Sequence, residues 1–147
     1  MIEYLDQPAE ALSELRRVTS TQGRLVLLAT NWDAVFWNCG ALELTRRVQE
    51  AWRGHAPHPN LPAELRPLLE GAGFRVVRQS PVTILNAAYH EDAFAYWAAR
   101  LMTAFGVGRN LISRADGEAW LRALEDAQGA GRFFFSSTPV LTLAVAA

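Results

Sequence analysis

A chain of 147 residues that is 50% hydrophobic and 20% charged fits one globular domain and is too apolar to stay solvated as a disordered polymer. Its 14 basic residues, all arginine, stand against 15 acidic ones, and a net charge of −1 gives no positive field for capturing nucleic acid. The single cysteine, Cys39, cannot close an internal disulfide, no apolar run is long enough to span a bilayer, and the acidic start Met1-Ile2-Glu3 is not a signal peptide. The expectation is a cytoplasmic domain with no nucleic-acid or membrane partner.

In chain order, Asp6-Gln7-Pro8 reads as a helix entry, with Asp6 as cap and the proline in the first turn. Leu12, Leu15 and Val18 then line one face at helical spacing, up to the polar stretch that ends at Gly23. Arg24 to Thr30 is apolar without alternation and bounded by turn residues, the pattern of a strand buried on both faces of a parallel sheet. The aromatic stretch Asn31 to Trp37 follows. Leu42 to Trp52 reads as a helix, and Gly54 to Asn60, carrying Pro57 and Pro59, breaks the chain. A second helix is predicted from Pro62 to Ala72, closed by Gly73. Phe74 to Arg78 alternates as a strand, and Pro81 to Leu85 extends it after a break. Two more helices are predicted, from Asp92 to Phe105 and from Ser113 to Gln128. Phe133 to Phe135 and Val140 to Val145 read together as one long closing strand, with Pro139 at a bulge or edge. The order implies α/β architecture in a single domain, 1–147. There are few strands, and the run Leu25 to Ala29 looks too apolar for an open edge.

Three segments carry a family pattern. They are Glu3-Tyr4-Leu5-Asp6-Gln7-Pro8, then Ala11 to Val18, then Gly23-Arg24-Leu25-Val26-Leu27-Leu28. Together they resemble the middle of class I S-adenosylmethionine-dependent methyltransferases, closest to the ubiquinone/menaquinone-biosynthesis type. Asn31-Trp32-Asp33 and the glycine before Phe74-Arg75-Val76-Val77 extend the likeness, and residues 87–130 match as a variable insertion. The resemblance implies the later strands of a Rossmann-like sheet with flanking helices, and a helical insertion before the last strand that could act as a substrate lid. It also implies methyl transfer to a small molecule, with S-adenosylmethionine as cofactor of the complete enzyme. The family's glycine-rich cofactor turn is not found in the chain, because Gly71-Ala72-Gly73 follows a helix and precedes a strand, the reverse of a nucleotide-binding order. The chain is therefore expected to correspond to a truncated, second-half form.

Methyl transfer needs positioning more than a catalytic triad, with a general base only where the acceptor carries a proton. Trp32 and Asp33 follow the carboxyl end of the buried strand, where ligands bind in open α/β sheets. Trp32 and Trp37 either wall an acceptor pocket or fill core space, and Asp33 either orients or deprotonates the acceptor or caps the next helix. Under the resemblance Glu3 and Tyr4 lie near the cofactor's methionine portion. Tyr89 and His90 fall where it places substrate-facing residues, His90 being a second possible general base. Phe94, Trp97, Leu101 and Phe105 recur at helical spacing, as a packing face or an acceptor lid. His55 and His58 lack a third ligand nearby, so no metal site is expected, and Cys39 has no activating neighbour. The alternative to a methyltransferase is a non-catalytic association module, or an apolar-ligand binder. Such a module would pair with itself as a homodimer, or with a partner that supplies the missing strands.

Overall fold

A computed structural model describes residues 2–147 as mixed α/β, with five α-helices and two three-stranded antiparallel sheets. The chain divides into two compact units, passing from one to the other at 34/35, 55/56, 83/84 and 137/138.

The first unit is built on a sheet whose middle strand comes last in the sequence. Helix α1, Pro8–Val18, starts with proline in its first turn, and Gln7, not Asp6, occupies the cap position without a side-chain bond. The turn into β1, Arg24–Thr30, requires glycine at position 23, because a Cβ there would meet Thr19 Cγ2 at 2.4 Å and the Ser20 carbonyl oxygen at 2.8 Å. Helix α3, Leu61–Gly71, leads through Gly73 (φ +86°) into β3, Phe74–Pro81. Strand β6, Pro139–Ala146, lies between β1 and β3 and is antiparallel to both, so β1 and β3 run in the same direction. Leu12 of α1, Leu61, Leu65 and Leu69 of α3, and Ala29, Phe74, Val76, Ala144 and Ala146 of the sheet form the buried core. Leu25 and Leu27 pack partly against it.

This arrangement corrects two expectations. Strand β1 is not buried on both faces of a parallel sheet: it is an antiparallel edge strand whose Val26 and Leu28 are 57% and 58% exposed. Its even-numbered residues point to an uncovered face, and the odd-numbered ones point to the helices. The closing stretch is not one strand. It divides at Thr138 into β5 and β6, which belong to different sheets.

The second unit contains β2, Phe36–Asn38; α2, Leu42–Arg53; β4, Ile84–Asn86; α4, Phe94–Gly108; α5, Arg114–Gly129; and β5, Phe134–Ser137. Strand β5 is central, flanked by β2 and β4. Trp37 lies with its ring 4.4 Å from Phe135 and 5.2 Å from Trp120, between centroids, and all three are buried. The Trp120 indole N–H donates to Thr45 Oγ at 3.0 Å, and that hydroxyl donates in turn to the Ala41 carbonyl. Helix α5 is capped by Ser113, whose Oγ accepts from the Asp116 amide at 3.0 Å. The Ser113 hydroxyl and the Arg47 guanidinium hold the Asp116 carboxyl below its usual range. Helices α4 and α5 meet closely at Gly117, where a Cβ would lie 2.7 Å from Thr103 Cγ2.

Candidate functional site

The predicted site residues fall into two groups, one in each unit. In the first unit, the end of β1 feeds a short 3₁₀ turn, Trp32–Ala34. Asn31 supports that turn by accepting from the Asp33 amide at 3.2 Å, an Asx arrangement. The Asp33 carboxylate is exposed and accepts from the Asn60 side-chain amide. The Trp32 amide donates to the Pro59 carbonyl at 3.2 Å. The neighbouring residue of the same loop, His58, donates its amide to the Glu3 carbonyl at 3.2 Å and places Nδ1 2.7 Å from Glu64. Loop 58–60 therefore ties Glu3 and the Trp32–Asp33 turn together. Glu3 is buried, whereas Tyr4 is half exposed, its phenol pushed up by partial burial and, secondarily, by the Glu3 charge. A groove of about 300 Å³ runs along β1, bounded by Ile2, Glu3, Leu15 and Leu61.

In the second unit, Tyr89, His90 and Trp97 gather at the start of α4. The Tyr89 ring lies 5.2 Å from those of Tyr96 and Phe133, and its amide donates to Gln128 Oε1 at 2.7 Å. The Tyr89 hydroxyl is buried without a hydrogen-bond partner among the described residues. Burial pushes its pKa up to about 12, against the opposing pull of Arg100. Arg100 donates to Tyr96 OH at 2.7 Å and lies 3.7 Å from Glu125. His90 is exposed and its Nδ1 accepts from the Asp92 amide at 3.3 Å, which makes it a support for the helix entry. Trp97 is 60% exposed, fixed by an indole N–H bond to the Glu91 carbonyl at 2.7 Å. With Phe94 and Leu101 it forms an apolar ridge along α4. Trp37 stands apart from these, in the core of the same unit.

Sequence reasoning missed Asn60 and the His58–Glu64 pair. The proline-flanked Asn60 before a helix carried a weak signal of a rigid loop, but its contact with Asp33 spans 27 positions and is invisible to periodicity.

The described residues do not fit S-adenosylmethionine. A dinucleotide-type cradle needs a strand, a glycine-rich turn and a helix whose N-terminal amides face the ligand. Strand β1 runs instead into the glycine-free Asn31–Ala34, and Gly71 and Gly73 end a helix before a strand. Between β2 and α2 the chain Cys39-Gly40-Ala41 holds a single glycine. No three His, Cys, Asp or Glu side chains among the described residues gather as metal ligands, and no helix among them is long and apolar enough to cross a membrane. No protein-family model matches the chain, and no curated protein matches it.

Proposed function

We propose that the chain derives from the later, Rossmann-like part of a class I methyltransferase and furnishes the acceptor side of methyl transfer to a small molecule. The observation that carries this reading is the placement of Trp32 and Asp33. They lie at the carboxyl end of β1, a strand that runs the same way as β3. Ligands of open α/β sheets bind at such ends. In this reading Asp33, held by Asn60, accepts a hydrogen bond or proton from the methyl acceptor, and Trp32 offers it an apolar wall. S-adenosylmethionine is the methyl donor of the complete enzyme and is held by residues other than these.

A panel of small planar acceptors titrated against tryptophan fluorescence tests the reading. A saturable ligand should emerge whose affinity falls about tenfold in both Trp32→Ala and Asp33→Asn. Binding that both variants leave unchanged, or no saturable ligand at all, sinks it. Calorimetry should find no tight one-to-one binding of S-adenosylmethionine by the chain alone.

The open edge of β1 favours a second reading, in which the chain is a non-catalytic association module.

A further inference from the structure

We infer that His58, oriented by Glu64, is the proton acceptor of the site at Trp32 and Asp33, and that the ligand it takes is a small aromatic molecule with an ionisable hydroxyl. This rests on the methyl-acceptor reading and names the chemical class of the acceptor. The place of the proton follows from the partner. His58 Nδ1 lies 2.7 Å from Glu64 Oε2, and an ionised carboxylate only accepts, so Nδ1 carries the hydrogen. In the neutral ring the lone pair is then on Nε2. Nε2 has no partner among the described residues, and the side chain is 23% exposed, so that lone pair is open to a ligand. Neither of the other two histidines offers this. His90 Nδ1 accepts from the Asp92 amide, which puts the proton of its neutral ring on Nε2. His55 lies stacked on Trp52 with Nε2 buried.

The pair is not what holds its loop. Main-chain bonds do that: the His58 amide donates to the Glu3 carbonyl, the Leu61 amide to the His58 carbonyl, and the Trp32 amide to the Pro59 carbonyl, each at 3.2 Å. Pro57 and Pro59 flank His58 with fixed φ, and Glu64 stands in the first turn of α3, so both partners sit on rigid backbone. A part-exposed ion pair of this kind adds little to stability. What it does fix is the tautomer and orientation of the ring, as a carboxylate does for an imidazole that moves protons. The same loop carries Asn60, whose side-chain amide holds the Asp33 carboxylate. One rigid loop thus sets an imidazole lone pair and a carboxylate, both acceptors, at the turn that bears the Trp32 indole. Two acceptors call for a donor, and the flat indole suits an aromatic ring. A phenol-type hydroxyl is acidic enough to give up its proton to an imidazole. The O–H bond breaks, its electron pair stays on oxygen, and the proton passes to Nε2, where the Glu64 carboxylate stabilises the imidazolium.

Two measurements on the full chain test the inference. Long-range proton–nitrogen NMR spectra at alkaline pH read the tautomer with no ligand present, the His58 signals being those lost in His58→Gln. The expected form is Nδ1–H. It should survive in Glu64→Gln, whose amide oxygen still accepts, and be lost in Glu64→Ala. A parent ring protonated on Nε2, or a tautomer indifferent to Glu64→Ala, overturns the inference. The second measurement titrates the chain with para-nitrophenol, held a little below the phenol's own pKa, and follows the phenolate absorbance. Saturable binding should raise the phenolate fraction, and the dissociation constant should rise at least about tenfold in His58→Gln. Glu64→Ala should lose the phenolate signal and Glu64→Gln keep part of it. No saturable binding, binding without phenolate, or a phenolate signal that His58→Gln leaves intact overturns the inference as well. If His58→Gln abolishes the signal while Trp32→Ala and Asp33→Asn leave binding unchanged, the acceptor site at the end of β1 fails and the role of His58 stands. If those two variants weaken binding and His58→Gln does not, the site stands and the role of His58 fails.

Discussion

Tyr89 shows what a single buried polar atom does to the second unit. Its hydroxyl has lost water and gained no partner among the described residues, so the neutral phenol is favoured and its pKa stands at about 12. An unfolded tyrosine ionises near about 10. The folded state therefore keeps a proton that the unfolded state releases between these values. The stability linked to this group is complete below a pH of about 10 and is lost as pH rises toward about 12. Urea melts across that range should show the decline, and Tyr89→Phe should flatten it. At neutral pH Tyr89→Phe should leave stability unchanged or raise it by up to about 1 kcal/mol, because no hydrogen bond is removed. A loss of stability would mean that the hydroxyl is bonded.

At the scale of elements, glycines of the same type behave oppositely according to what surrounds them. Gly117 lies where α5 crosses α4, and a Cβ there would press on Thr103 Cγ2 at 2.7 Å and Val107 Cγ2 at 3.2 Å. Overpacking of this kind costs about 1–3 kcal/mol, which outweighs the roughly 1 kcal/mol of helix propensity gained. Gly117→Ala should therefore lower the urea midpoint. Gly71, the last residue of α3, has open space within 4 Å of where a Cβ would stand, and Gly71→Ala should raise the midpoint by the equivalent of up to about 1 kcal/mol. Equal signs for the two would refute the close approach of α4 and α5.

At the scale of the molecule, the first unit depends on the last nine residues. Strand β6 pairs Val145 with Arg24 and Ala144 with Leu25, so the sheet is closed by contacts between distant parts of the chain. Such contacts must overcome a loop-closure cost before they contribute. Both β1 and β3 lose the strand they pair with if residues 139–147 are removed. A chain ending at Thr138 should lose the dispersed methyl resonances of Leu12, Leu65 and Phe74's neighbours in the first core, while those around Trp120 persist. Retention of the Leu65 resonances would show that α1 and α3 hold that core without the sheet.

The helices were legible in the sequence because their signals are local. Apolar periodicity and the turn residues between segments placed α2, α3 and α5 to within a residue or two. The apolar run of β1 also announced a strand. What it could not announce was its partner, its direction or the bare face under Val26 and Leu28, since a side-chain pattern records preference for burial and not whether anything arrives to cover it. Residues 133–145 read as one strand for the same reason: only the pairing of Phe135 with Trp37 and of Ala144 with Leu25 sends its two halves to different sheets. The contact of Asp33 with Asn60 and the solitary hydroxyl of Tyr89 belong to the same class. Local periodicity determined the elements, and contacts between residues far apart in the chain decided how they were assembled.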